Sequence, residues 1–445
     1  MQRRAFVAAL GAMGSGLLAA PARGLHAAEV PTGARPVEAA YFGMHFHRLV
    51  RKPGEPAPTL WPEQPTIGAL RLWDCDTRWA DVAPQPGRWD FDRMDAYIAR
   101  AAAHGASVLC TLGSTPRWAS ARPGEPGPYG PGCAAEPRSL ADWDDYVRRV
   151  IDRYRGVVRA YELWNEPNFS DMPRDRGAPG FFTGSVAAMV EMGRLARRAI
   201  DEIDPGARLA TPGFVNGPDR LELFLKAGGA TLCDAVAYHL YSKDAKRFTS
   251  QLAEVREVMR TCGVSHLPLW NTECGVETQQ GAIAGGDVVD DAAGEADAAA
   301  LVAQLLLLGA ADGIERFDYY AWDNGHTGMI DPQGRARPRL AAFAQTRHWL
   351  LGSRLSAAAS LPGGHFRSWG EREGERFVFV WAEKDGSARL RMPAGWRAST
   401  LHRLLEPAPV PVDAASQAGA GSMFTMPVSP RPARLLLARS EHAGS

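Results

Sequence analysis

Short apolar runs alternate with longer amphipathic stretches between residues 41 and 351. Apolar runs bounded by Gly, Pro or Asn are typical of buried strands, and apolar residues at helical spacing are typical of helices. Eight strand–helix repeats predict an α/β fold with a parallel sheet, and their total length fits a closed (β/α)8 TIM barrel. The predicted strands are Tyr41–His47, Ala69–Trp73, Ser107–Leu112, Ala160–Trp164, Arg208–Thr211, Ala235–Leu240, Pro268–Asn271 and Arg316–Ala321.

Helices are predicted between most of these strands. Ser139 is a favourable N-cap for the second of them. The Pro-rich segment 50–66 predicts that the helix after the first strand is short or absent. An open, doubly wound sheet is the competing fold, but it usually carries a glycine-rich loop after the first strand, where His45-Phe46-His47 stands instead. The predicted helices are Phe91–His104, Leu140–Tyr154, Val186–Ile203, Phe248–Cys262 and Ala296–Leu308.

The pattern changes after Gly352, where short β-like runs are separated by Gly, Pro and Asp turns. This change predicts a barrel over residues 29–351 and an antiparallel, sandwich-like β domain over residues 352–445. Phe377, Phe379 and Trp381 alternate along one predicted strand, so they need a covering surface, and the flank of the barrel is the simplest one. The predicted role of the β domain is structural support, and a separate sugar-binding module is the alternative.

The first 28 residues resemble a signal peptide of the twin-arginine type. Arg3-Arg4 precedes a small, apolar run from Ala5 to Ala20, and small residues follow that suit cleavage between Ala22 and Ala28. We therefore expect a periplasmic or secreted protein with no stable membrane insertion after cleavage. A retained N-terminal anchor is the alternative.

The composition excludes some partners and cofactors. Lys+Arg and Asp+Glu number 50 each, so no basic footprint for nucleic acid is present. The six cysteines include no C-x-x-C pair, and neither a zinc or redox motif nor any other cofactor is predicted. Export would permit disulfides, for which Cys233 and Cys262 are the first pair to test. Cys274 is expected to pack as a small buried residue.

Two glutamates follow predicted buried strands in similar contexts. Glu166 ends the run Tyr161-Glu162-Leu163-Trp164-Asn165-Glu166, and Glu273 ends the run Leu269-Trp270-Asn271-Thr272-Glu273. The carboxyl ends of the strands build the active site of a parallel barrel. Two carboxylates that face one cleft are the groups that glycosidases use to cleave a glycosidic bond.

Polar residues on other strands are candidates to support the two glutamates. Arg71 interrupts an apolar strand and must be paired, with Glu273 as its natural partner. An arginine there lowers the pKa of the carboxyl group and keeps it ionised. Asn165 is placed to donate to a sugar hydroxyl. His239 and Tyr241 are two residues apart and so share one face of their strand.

Further substrate-binding or supporting candidates are His45, His47, Trp322 and Trp118. The two histidines share the spacing of His239 and Tyr241, and with a glutamate they could instead form a metal site. Trp322 follows the last predicted strand, where it could form the floor of a sugar subsite. Trp118 lies in the third loop, and an aromatic face there also suits a sugar ring.

Together these residues resemble the clan A retaining glycoside hydrolases, and within them family 39, which includes β-xylosidases, α-L-iduronidases and exopolysaccharide hydrolases. The motif Trp164-Asn165-Glu166-Pro167-Asn168 carries the resemblance most specifically. It implies a carbohydrate substrate, with Glu166 as the acid/base and Glu273 as the nucleophile. The alternatives are a non-catalytic glycan-binding protein on the same scaffold and a metal-dependent barrel hydrolase. The sequence does not indicate the sugar or the oligomeric state.

Overall fold

The computed structural model of the protein describes residues 29–52, 58–277, 292–412 and 423–440. The predicted signal peptide at residues 1–28 lies outside them.

Eight parallel strands form the barrel, as predicted. Their order in the sheet is β5-β4-β3-β2-β1-β8-β7-β6. Backbone bridges from Ala210 to Ala235 and from Phe214 to Tyr238 join β5 to β6 and close the ring. The strands are β1 Phe42–Met44, β2 Ala69–Leu72, β3 Ser107–Thr111, β4 Ala160–Glu162, β5 Arg208–Ala210, β6 Val236–His239, β7 Leu269–Cys274 and β8 Arg316–Tyr319.

Helices cover the outside of the barrel. Ser139, Ser185 and Asp244 cap α3, α4 and α6 with side-chain oxygens that accept backbone N–H groups. No helix lies between β1 and β2 in the part of that connection that is described, which agrees with the prediction. The helices are α1 Trp79–Val82, α2 Asp92–Ala103, α3 Leu140–Arg153, α4 Val186–Ile203, α5 Asp219–Lys226, α6 Ala245–Thr261, α7 Ala292–Asp312 and α8 Pro338–Leu350.

Helix α7 is apolar enough over Gly294–Asp312 to pass for a membrane span by length and composition. Yet 72% of that stretch is buried inside the protein, as expected for a core helix of the barrel.

The interior of the barrel is partly apolar and partly charged. Small side chains pack around Trp270 in one cluster with Leu109. On β8, Arg316 donates to Asp318 over 2.6 Å, and both side chains are buried. Gly43 makes room for this pair, because a Cβ atom there would lie 2.0 Å from Oδ1 of Asp318. The charged part of the interior continues from Asp318 toward the carboxyl ends of the strands.

The chain after α8 folds into two antiparallel sheets. The larger sheet has the order β10-β11-β12-β17-β14-β15 with β9 paired to β11, and the smaller contains β13 and β16. Residues of both sheets form one apolar cluster between them, so the sandwich-like prediction is confirmed. The strands are β9 Arg354–Leu355, β10 Ala359–Leu361, β11 His365–Arg372, β12 Glu375–Ala382, β13 Gly386–Arg391, β14 Trp396–Arg403, β15 Val410–Pro411, β16 Met423–Val428 and β17 Ala433–Arg439.

The outer face of the larger sheet packs on the barrel. Phe377, Phe379 and Trp381 of β12 belong to the apolar cluster of the barrel, and the rings of Trp349 and Phe379 lie 5.9 Å apart. The flank of the barrel is therefore the cover that the alternation predicted. Gln345 of α8 adds polar contacts, because it donates to the Arg403 carbonyl over 3.1 Å and accepts from the Leu405 amide over 2.7 Å.

All six cysteines are free thiols. The suggested pairing of Cys233 with Cys262 is therefore wrong. Cys274 is fully buried, as predicted, and its thiol donates to the carbonyl of Leu240 over 3.2 Å.

Candidate active site

The two glutamates lie at the carboxyl end of the barrel. Glu166 follows β4 on a sharp turn, with a φ of +41° that non-glycine residues rarely adopt. Its amide donates to the carbonyl of Gly213 over 2.8 Å, which fixes the turn against the chain that follows β5. Glu273 lies inside β7, which extends to Cys274 and is longer than the predicted strand.

Arg71 on β2 connects the candidate residues. The buried guanidinium donates from Nη1 to Glu273 over 2.7 Å and from Nη2 to the side-chain oxygen of Asn165 over 2.6 Å. The prediction that Arg71 pairs with Glu273 is confirmed. Because the oxygen of Asn165 is occupied, its amide nitrogen is the atom left to donate to a substrate.

Glu162 is the principal partner of Arg71, and it was not predicted from the sequence. Its Oε2 atom accepts from Nε of Arg71 over 2.9 Å, from Nη2 over 2.5 Å and from the Thr111 hydroxyl over 2.8 Å. Burial alone would lower the pKa of Arg71, but the Glu162 and Glu273 carboxylates raise it overall. Strand alternation was the available signal, since Glu162 shares the inward face of Ala160 on β4.

Glu273 is held by two donors. Arg71 binds its Oε2 atom, and the hydroxyl of Tyr241 donates to its Oε1 atom over 2.7 Å. Burial raises the pKa of Glu273 above its ordinary value, and Glu166 raises it further, whereas His239 and Arg71 lower it. Arg71 thus acts in the predicted direction, but burial outweighs it. Burial also raises the pKa of Tyr241, so its phenol keeps the proton that it donates.

His239 links Glu166 to this network. Its Nδ1 atom lies 2.8 Å from Oε1 of Glu166, and its Nε2 atom lies 3.5 Å from Nη2 of Arg71. Because the guanidinium can only donate, Nε2 must be the acceptor. Nδ1 therefore carries a proton, which it donates to Glu166.

Among the described residues, the side chains grouped closely enough to hold a metal ion are Glu166, His239 and Glu273, with ligand atoms within 4.8 Å of one another. The hydrogen bonds of His239 oppose this use, since Nδ1 carries its proton. His45 and His47, the pair of the metal alternative, are not part of this group.

His45 and His47 flank Tyr320, which follows β8. Their rings lie 5.1 and 5.0 Å from its ring. The Nε2 atom of His45 donates to the Thr272 carbonyl over 3.1 Å, and burial together with Arg71 lowers the pKa of His45, so its imidazole is neutral. Asp74, which follows β2, accepts from the hydroxyl of Tyr320 over 2.8 Å. Neither Tyr320 nor Asp74 was predicted from the sequence as a site residue.

The two predicted tryptophans pack against apolar neighbours. Trp322 is buried, and its ring packs against Phe46 at 5.5 Å. Trp118 packs at 6.3 Å against Trp79 of α1 and donates to the carbonyl of Ala83 over 2.8 Å. These contacts favour a supporting role for both residues.

A cleft opens beside the glutamates. It is lined by Glu166, Tyr241 and Glu273, and it continues along α7 to Glu383 and Pro430 of the β domain. The β domain therefore borders the cleft as well as covering the flank of the barrel.

Comparison with protein-family models gave no match, and comparison with curated protein sequences gave none. Solved structures do match. A family 39 glycoside hydrolase from Bacteroides cellulosilyticus WH2 has a TM-score of 0.62 at 16% identity, covering 84% of this chain and 76% of that chain. A family 39 β-xylosidase from Caulobacter crescentus has a TM-score of 0.60 at 18% identity, covering 92% and 98%.

A family 30 subfamily 8 xylanase from Clostridium acetobutylicum has a TM-score of 0.57 at 14% identity, covering 84% of this chain and 89% of that chain. The families that match include the one that the sequence resembles. At these identities the likeness establishes that this chain has the fold of the family 39 and family 30 glycoside hydrolases.

Proposed function

We propose that this protein is a retaining glycoside hydrolase that acts on an oligo- or polysaccharide. One observation carries the proposal: an oxygen of Glu166 and an oxygen of Glu273 lie within 4.8 Å of each other at the carboxyl end of the barrel. Retaining enzymes place their carboxyl groups about 5–5.5 Å apart, whereas inverting enzymes need about 6.5–9.5 Å to admit water between them.

Glu273 is the proposed nucleophile. Its carboxylate attacks the anomeric carbon, and a covalent glycosyl-enzyme forms as the glycosidic bond breaks. Arg71 and Tyr241 each hold one oxygen of Glu273, so the attacking group is oriented before substrate binds.

Glu166 is the proposed acid/base. Because its Oε1 atom accepts from His239, the Oε2 atom is the one free to carry the transferred proton. In the first step Glu166 protonates the glycosidic oxygen, and the departing alcohol keeps that proton. In the second step it removes a proton from water, which attacks the anomeric carbon and releases Glu273.

The test is a panel of aryl glycosides, with the anomer of the first-formed product followed by NMR. We expect retention of configuration and, with a 2-deoxy-2-fluoro glycoside of the preferred sugar, a covalent adduct on a peptide that contains Glu273. Inversion would contradict the mechanism, and release that persists without either glutamate would contradict the site. Activity should survive exhaustive chelation, and its loss would favour the metal-dependent alternative.

We also propose export of the protein, on the basis of the signal-like sequence at residues 1–28. N-terminal sequencing of the mature protein from the periplasm or medium would test this proposal, and an uncleaved N-terminus would favour the retained anchor.

A further inference from the structure

Glu162 is a buried carboxylate that the proposed mechanism does not use. It is fully buried, and its Oε1 atom has no hydrogen-bond partner among the described residues. Gly213 also leaves space for it, because a Cβ atom there would lie 2.9 Å from Oε1. A buried oxygen without a partner costs stability, and such groups are concentrated where they serve a function.

The geometry indicates what Glu162 does to Arg71. One carboxylate oxygen accepts from both Nε and Nη2, so the guanidinium plane is fixed and Nη1 is directed at Glu273. Thr111 donates to the same oxygen and fixes the carboxylate in turn. The charge of Arg71 is thereby divided between Glu162 and Glu273.

We propose that Glu162 is a positioning residue that orients Arg71. Its negative charge partly compensates the positive charge of Arg71 and so weakens the positive potential that Arg71 produces at Glu273. This inference rests on the proposed function, and it gives a role to Glu162, which the proposed mechanism does not use. Charged and titratable groups from several strands face the pair. Those that act on Glu273 are Glu166, His239, Tyr241, Asp74 and Tyr320, and those that act on Arg71 are Asp318 and His45.

Glu162→Gln tests the charge, because glutamine keeps the shape and an acceptor oxygen. Glu273 is then the carboxylate that remains hydrogen-bonded to Arg71, so Glu273 stays ionised to lower pH. We expect the acidic limb of the kcat/KM profile to move down by about one pH unit. We also expect a lower kcat, because a carboxylate that Arg71 stabilises more strongly in the ground state is a weaker nucleophile.

Two further variants separate charge from structure. Glu162→Asp keeps the charge but shortens the side chain, so kcat/KM should fall about 10- to 100-fold with the acidic limb unmoved. Glu315→Gln removes a 2.6 Å ion pair with Arg208 at the opposite end of the barrel and should leave the limb in place. If Glu162→Gln does not fold, Glu162→Asp is the test of the positioning role. A kcat/KM of Glu162→Asp equal to that of the wild type would overturn the proposal.

A second measurement does not depend on turnover. Titration of the Glu273 carboxyl by 13C NMR, assigned with Glu273→Gln, should show the same downward displacement in Glu162→Gln. An unmoved or upward-shifted titration would overturn the role of Glu162. A wild-type protein that cleaves no glycoside would instead contradict the proposed function, and the titration would still decide on Glu162.

Discussion

The turn after β4 and the end of β7 place two glutamates close together in different surroundings. Glu166 stands on a strained turn, its side chain is 18% exposed, and its side-chain partner is the imidazole of His239. Glu273 stands within a strand, its side chain is 9% exposed, and a guanidinium and a phenol both donate to it. In the proposed mechanism the more exposed carboxyl exchanges protons with substrate and water, and the enclosed one attacks the anomeric carbon. Environment rather than residue type thus separates the two proposed roles.

Replacing Glu273 gives the largest expected effect. Glu273→Ala removes the proposed nucleophile, so kcat/KM should fall by about 10⁴-fold or more for every substrate. Added azide would occupy the vacated space and attack the anomeric carbon directly, which gives a glycosyl azide of inverted configuration. An azide product of retained configuration from this variant would indicate that Glu273 is the acid/base and Glu166 the nucleophile.

Glu166→Ala should divide substrates by their leaving groups. Loss of general acid catalysis costs about 10²- to 10⁴-fold for poor leaving groups, and much less for an activated aryl glycoside in its first step. Azide should restore turnover by attacking the glycosyl-enzyme, and the product should have retained configuration. Equal losses for good and poor leaving groups, with no response to azide, would contradict the acid/base role.

Arg71→Met tests whether the guanidinium orients Glu273 and keeps it ionised. Loss of a donor that orients the proposed nucleophile should cost about 10²- to 10³-fold in kcat/KM. Arg71 lowers the pKa of Glu273, so its loss should raise that pKa, and activity should disappear at a higher pH as the solution is acidified. Arg208→Met, at the opposite end of the barrel, is the control. If the acidic limb of the kcat/KM profile does not move in the folded Arg71→Met variant, the role of Arg71 is purely structural.

Tyr241→Phe gives the smallest of these effects. It removes one hydrogen bond to the Glu273 carboxylate and leaves the ring in place, which should lower kcat/KM about 10- to 100-fold. The lost donor stabilised the ionised form, so the acidic limb should shift upward, as in Arg71→Met but by less. Wild-type kinetics in this variant would show that Arg71 alone orients Glu273.

The sequence predicted the barrel because eight apolar runs recur at regular spacing. It also predicted that Arg71, Glu166, His239 and Glu273 fall at or near the carboxyl ends of these runs, where the structure brings their side chains together. Helix α8 was missed because Arg339 lies on its buried side, where it donates to the Val276 carbonyl over 2.7 Å, and the charge interrupts the apolar pattern.

Side-chain direction was the part that the sequence did not provide. Trp322 was placed near the substrate because it follows the last strand, but its ring turns into the core, and Tyr320 contacts His45 and His47 instead. Glu162 was passed over because it stands inside an apolar run, four residues before a more recognisable glutamate. Its proposed role rests on contacts with Arg71 of β2 and Thr111 of β3, which are distant in sequence.

The position of β17 has a consequence for synthesis of the protein. This strand is the last element that the structure describes, yet it lies between β12 and β14 in the centre of the larger sheet. The sheet cannot be completed until residues 433–439 leave the ribosome, and the aromatic face of β12 lacks part of its support until then. We therefore expect a chain truncated before Ala433 to be insoluble, as measured by the soluble fraction on expression, even though every residue of the barrel is present.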